Sequence, residues 1–160
     1  MKKEMRDMDR IESTGARGTD ALRQRLFKAP NFEAFVEQNA EALSPPPLCD
    51  ALAELRRTSG LSAAQIVLRS HIARTYLYQL LSGTRKPSRD KLIQLAFGFG
   101  LDDEGAQALL KAARMSPLYP RVVRDAAILR CLHERKSIGE TQELLGRMGL
   151  TALGGEDQYG

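Results

Sequence analysis

A chain of 160 residues, 42% hydrophobic and 28% charged, is long enough for one domain with extensions and apolar enough to form a core. No apolar run approaches the ~20 residues a membrane-spanning helix needs, and Lys2, Lys3 and Arg6 are not followed by the apolar stretch of a secretory signal. A cytoplasmic protein with no membrane partner is therefore expected, and the lone Cys49 and Cys131 read as small buried hydrophobes of a reducing compartment.

Residues 1–29 hold eight Lys/Arg and five Asp/Glu, which predicts a mobile charged arm with a short helix over 20–28. Residues 30–47 read as an amphipathic helix and a proline linker. Asn31 is placed to cap the helix, Phe32, Phe35, Val36, Ala40 and Leu43 share one face, and Glu33, Glu37 and Glu41 form a solvated acidic ridge. Ser44-Pro45-Pro46-Pro47 ends it, because consecutive prolines cannot continue a helix.

Residues 48–115 read as five helices. The first, over 48–58, buries Leu48, Leu52 and Leu55. The second starts with Ser62 and Gln65 at capping-box spacing, turns Ile66 and Val67 inward, and leads into a polar turn at Arg69-Ser70-His71. The third, over 73–82, follows the anchor Ile72, buries Leu77, Leu80 and Leu81, and ends at Gly83, where a left-handed residue is wanted. Pro87-Ser88 opens the fourth, with Leu92, Ile93, Ala96 and Phe97 inside. Asp102, Asp103 and Glu104 open the fifth, where negative charge suits a helix N-terminus, and Leu109, Leu110 and Ala113 are buried.

A helical hairpin over 116–153 follows, with Pro120 in the first turn of its first helix and a Ser137–Glu140 capping box opening its second; residues 154–160 are a tail. Shifting the chain by 35 residues pairs Arg89-Asp90 with Arg124-Asp125, Ile93 with Ile128, Gln107 with Gln142, Leu109-Leu110 with Leu144-Leu145 and Leu118 with Leu153. Periods of this size suit stacked helix pairs. No strand-like alternation appears, so the whole chain reads as all-α.

The third helix carries the chemistry. Arg74, Thr75, Tyr78 and Gln79 face outward, and these include the residue types that hydrogen-bond base edges: Arg to guanine, Gln to adenine, Thr to a polar edge or a thymine methyl. The plainer reading is an ordinary solvated helix face. Charge favours the first: from Arg69 to Lys91 there are six Lys/Arg against one acid, Asp90, a net +5 in a chain of net +4. A sequence pI near 9.3 is compatible with this. Tyr76 and Tyr78 offer stacking to unpaired bases, a minor alternative without a platform sheet, and one of them is expected to pack inward.

Enzyme chemistry is poorly supplied. His71 and His133 have no Cys or His companion at metal-ligand spacing, there is no phosphate loop or nucleophile elbow, and Gly98-Phe99-Gly100 lacks the further glycine of a dinucleotide turn. No catalytic residue, metal or cofactor is expected.

From Gly60 to Gly83, continuing into Lys86-Pro87, the residues resemble the Xre/Cro-type, lambda-repressor-like helix-turn-helix regulators. Leu61-Ser62, Ile72, Leu77, Leu80 and Ser82-Gly83 meet the family pattern, and the likeness covers about the middle 65 residues. The Arg74-Thr75-Tyr76-Leu77-Tyr78-Gln79 run, Lys86 to Leu92, Leu95-Ala96-Phe97-Gly98 and the Leu118-Tyr119-Pro120-Arg121 junction look like a bacterial group of such proteins with helical extensions at both ends. The resemblance implies a five-helix helix-turn-helix core flanked by an N-terminal helix and a C-terminal helical hairpin. It implies base reading by Arg74, Thr75 and Gln79 and backbone contacts from Ser62, Ala63, Arg85 and Lys86, with Arg89 added. Departures are Ala63 in place of a glutamine, Val67 in place of a small residue, His71 in place of the turn glycine, and Ala73 without a capping oxygen.

The expected function is sequence-specific binding of double-stranded DNA by a transcriptional repressor, with residues 73–82 in the major groove and a homodimer on two half-sites. The alternative is an adaptor or antitoxin-like module that keeps the fold and meets a protein partner through the C-terminal hairpin or the N-terminal helix. Val122, Ile128, Leu129, Leu132, Leu144, Leu145 and Met148 of the hairpin serve either a dimer surface or the core.

Overall fold

The structure, a computed structural model, describes residues 16–43 and 47–154, and every regular element among them is an α-helix. Most of the expected arm, the Ser44–Pro46 stretch and the tail beyond Gly154 lie outside the described residues. The chain divides between Pro45 and Pro46 into two compact units.

The first unit holds α1 (Ala16–Lys28), α2 (Phe32–Gln38) and α3 (Ala40–Leu43). The helix α1 starts four residues ahead of the expected position. Asn31 caps α2 by accepting the Ala34 N–H at 2.7 Å. The single helix expected over 31–43 is broken at Asn39, and the cause is local. Asn39 is buried, its Nδ2 donates to the Phe35 carbonyl at 2.8 Å, and its Oδ1 accepts from Arg25 Nη1 at 2.9 Å. A side-chain amide bonded to its own preceding turn competes with the helical ladder. Of the expected apolar face only Phe35 is buried; Phe32 is 65% exposed, and Val36 and Leu43 are exposed as well. Glu33 and Glu37 are exposed as a ridge, while the Glu41 side chain lies outside the described residues.

The second unit is built from α4 (Leu48–Ser59), α5 (Ala63–Ser70), α6 (Arg74–Ser82), α7 (Arg89–Gly98), α8 (Asp103–Ala112), α9 (Val123–His133) and α10 (Ile138–Arg147). Side-chain caps start four of these helices: Ser62 and Ser137 with complete capping boxes, Ser88 on Lys91 N–H and Asp102 on Gly105 N–H. Pro120 does not enter the following helix. Residues 120–122 turn first, with Val122 N–H bonded to the Tyr119 carbonyl, and α9 begins at Val123.

At the centre lies α7. It packs against α5 and α8, and every residue from Leu92 to Phe99 is buried. The sequence pattern marked only four of its residues as inside, because a helix enclosed on all sides has no polar stripe to reveal its orientation. The α5–α7 crossing is close. A Cβ on Gly98 would fall 2.8 Å from the Ser70 Cβ and 3.2 Å from the Ile66 carbonyl oxygen. Ser70 is wholly buried rather than part of a polar surface turn: its Oγ accepts the Ile72 N–H at 3.2 Å, and its carbonyl accepts from Gln94 Nε2 at 3.1 Å.

The 35-residue echo is structural. Shifted by 35, the bounds of α8 become those of α10, and left-handed Gly100 and Arg114 become left-handed Arg135 and Gly149. Gln107 brackets Leu118, with Nε2 on its carbonyl and Oε1 on its N–H, both at 2.8 Å; Gln142 brackets Leu153 likewise at 2.9 and 2.8 Å. The copies exchange ion pairs. Arg89 grips Asp125 (2.9 Å) and the carbonyls of Ser116 and Pro117, while Arg124 grips Asp90 (2.9 Å) and the carbonyls of Thr151 and Ala152. Each aspartate, buried, takes one more N–H at 3.0 Å, Asp125 from Tyr119 and Asp90 from Gly154. Of the hairpin's apolar residues, Ile128, Leu132 and Leu145 are in the core and Leu129 and Leu144 pack against it, while Val122 and Met148 stay exposed.

Candidate nucleic-acid interface

One face of α6 is fixed by the core. Leu77 and Leu80 are buried, Tyr76 and Leu81 pack against the same cluster, and α4 and α5 both contact the helix. The opposite face presents Arg74, Thr75 and Tyr78 to solvent, with Gln79 half-buried at its edge. Neither Arg74 nor Thr75 has a hydrogen bond or ion pair among the described residues. A polar face held on a packed helix, with its donors unused, is suited to reading a groove.

The helix ends at Gly83 (φ 80°), beyond which the Gln79 carbonyl gathers the N–H groups of Thr84 and Arg85 together with the hydroxyls of Ser82 and Thr84. This folds the basic loop back beside α6. The Arg85 guanidinium lies over the Tyr76 ring at 4.5 Å, Lys91 Nζ stands 5.6 Å from the same ring, and Arg85 Nη1 reaches Gln79 Oε1 at 3.4 Å. Tyr76 is thus the tyrosine that packs inward, and it orders the loop cations. Nothing in local sequence spacing signals that role, because Arg85 and Lys91 are brought to the ring by the Gly83 turn.

The expected backbone-contact residues divide. Arg85 and Lys86 are exposed beside α6. Ser62 is exposed at the start of α5, its hydroxyl engaged with Gln65. Ala63 is buried in the core, so only its backbone N–H, without a helical acceptor in the first turn, is left to meet an anion. Arg89 is placed differently from Arg85 and Lys86: its guanidinium is committed to Asp125 and two carbonyls, which leaves it less free to meet a phosphate. The sequence could not show this, since Asp125 lies 36 residues away.

The left-handed turn at His71 (φ 57°) joins α5 to α6, and Ala73 starts α6 without a side-chain cap. Among the described residues three carboxyls are held below their ordinary range: Glu54 by its hydrogen bond from Arg57, Asp103 by His133 at 3.1 Å, and Glu134 by Arg130 at 2.7 Å. No group of three metal-ligating side chains occurs among the described residues, and no described helix is long and apolar enough to cross a membrane.

Residues 48–109 match the family model of the helix-turn-helix domain. The matched segment, short of half the chain, runs from the start of α4 into α8 and contains the whole α5–α6 pair. Helix-turn-helix domains of this kind serve DNA-binding regulators. No curated protein and no solved structure matches the chain.

Proposed function

We propose that the helix-turn-helix domain binds double-stranded DNA in a sequence-specific way, as a transcriptional repressor of the Xre/Cro type, with α6 in the major groove. The observation that carries this reading is the one-sided burial of α6, which leaves Arg74, Thr75 and Tyr78 exposed beside the cationic loop of Arg85 and Lys86. In this reading Arg74 donates two parallel hydrogen bonds to a guanine edge, and Thr75 and Tyr78 contact neighbouring bases. Gln79 reads adenine by sharing its Oε1, now 3.4 Å from Arg85, with the base amino group. Arg85, Lys86, Ser62 and the first N–H groups of α5 hold the phosphates and fix the register, a role without sequence information. One reading helix covers few base pairs, so two copies on half-sites ~34 Å apart are proposed. The protein acts in the cytoplasm as a binding protein rather than an enzyme.

Selection of bound sequences from a random duplex pool at physiological salt tests the reading, with Arg74→Ala as control. Enrichment of a short palindromic motif is expected. Arg74→Ala should cost about 1–3 kcal/mol on the selected site and relax the preference at one position. Retention of no duplex by the intact protein would sink the proposal. The rival reading is an adaptor that kept the fold, to which the commitment of Arg89 and the burial of Ala63 lend some support. It predicts no nucleic-acid phenotype from Arg74→Ala, and co-purification of a protein partner.

A further inference from the structure

The C-terminal half of α5, the α7–α8 turn and the start of α10 line an open cleft of about 620 Å³. That volume falls within the range of small-molecule sites. Phe97, Leu132 and Ile138 give it apolar walls, and Leu68 stands at its rim 76% exposed. Around it converge Arg69, Arg135, Lys136 and His71, against the single carboxylate of Glu140. Arg69 has no hydrogen bond or ion pair among the described residues. Arg135 donates to the Gly100 carbonyl at 2.7 Å and lies 3.9 Å from Asp102, and Lys136 lies 3.6 Å from Glu140.

A second observation points to the same place. Only three non-glycine residues among those described have left-handed backbones, and two of them, His71 and Arg135, line this cleft. The position equivalent to Arg135 in the first copy of the repeat is Gly100, which adopts φ 70° without strain. Arg135 thus keeps a cation at the cleft on a left-handed backbone, at a conformational cost that glycine would avoid.

We propose that this cleft binds a small amphipathic anion, its carboxylate or phosphate head on Arg69, Arg135 and Lys136 and its apolar body along Leu68 and the inner walls. Because His71 belongs to the turn between α5 and α6, occupancy is registered in the backbone that sets the angle of the reading helix. The site stands whether or not α6 reads DNA.

The test is a ¹H–¹⁵N titration of the full chain with decanoate. Decyl phosphate serves as the second head group, and decyltrimethylammonium as a probe with the same tail and opposite charge. Saturable shifts centred on Leu68, His71, Gly100 and Ile138 are expected with either anion, and the tighter of the two identifies the head group. Arg69→Glu and Lys136→Gln, each checked for an unchanged spectrum elsewhere, should weaken the response about tenfold or more. The proposal is overturned by the absence of saturable shifts, by an equal response to the cationic probe, or by undiminished binding in both variants.

Discussion

His71 shows how one backbone angle carries both a cost and a use. At φ 57° it occupies the position where glycine closes a helix without steric penalty. His71→Gly should therefore raise stability by roughly 0.5–1 kcal/mol, the relief of the left-handed strain less the greater freedom of glycine in the unfolded chain. Urea denaturation measures it, and a loss of stability would mean that the imidazole holds the turn. Gly98 presents the opposite case. Alanine ordinarily suits a helix better, but here its Cβ would meet the Ser70 Cβ at 2.8 Å and a backbone oxygen at 3.2 Å, neither of which is a flexible end. Gly98→Ala should cost about 1 kcal/mol or more, whereas Gly146→Ala on α10, with nothing within 4 Å, should gain about 0.5 kcal/mol. Thermal melts of the pair separate crossing distance from helix propensity.

At the scale of elements, the two basic residues that flank the start of α7 have different work. Lys86 is exposed and without a carboxylate partner among the described residues; Lys86→Ala should leave the fold intact, weaken DNA uniformly across sequences, and reduce the salt slope by about one. Arg89→Ala leaves the buried Asp125 carboxylate without its cation and should cost about 3–5 kcal/mol of stability. A double-mutant cycle with Asp125→Asn, followed by denaturation, should show strong coupling between the two sites; additive costs would reduce Arg89 to a surface residue. Sequence alone made the helix starts legible, because Ser62, Ser88, Asp102 and Ser137 act within three residues of themselves. It also revealed the outward face of α6, which follows from helical period. The fate of Arg89 and the stacking of Arg85 on Tyr76 depend on partners 36 and nine residues away, and no local rule reaches them. The 35-residue echo lay between these cases: its residues were visible, but their reciprocal contacts were not.

For the molecule as a whole, the helix-turn-helix match stops at residue 109, yet the second unit continues through Gly154. Two half-repeats grip each other by the same contacts taken in opposite order, Arg89 on Asp125 and Arg124 on Asp90. Such an exchange is the hallmark of a surface that complements itself. A chain cut after Pro120 would uncover that surface on its first half, with Arg89 and Asp90 side by side and each lacking its mate. Two such fragments could then satisfy one another, Arg89 of each on Asp90 of the other. Sedimentation of the fragment should find a dimer that Asp90→Asn disrupts, while the intact chain has already closed the same pairing within itself.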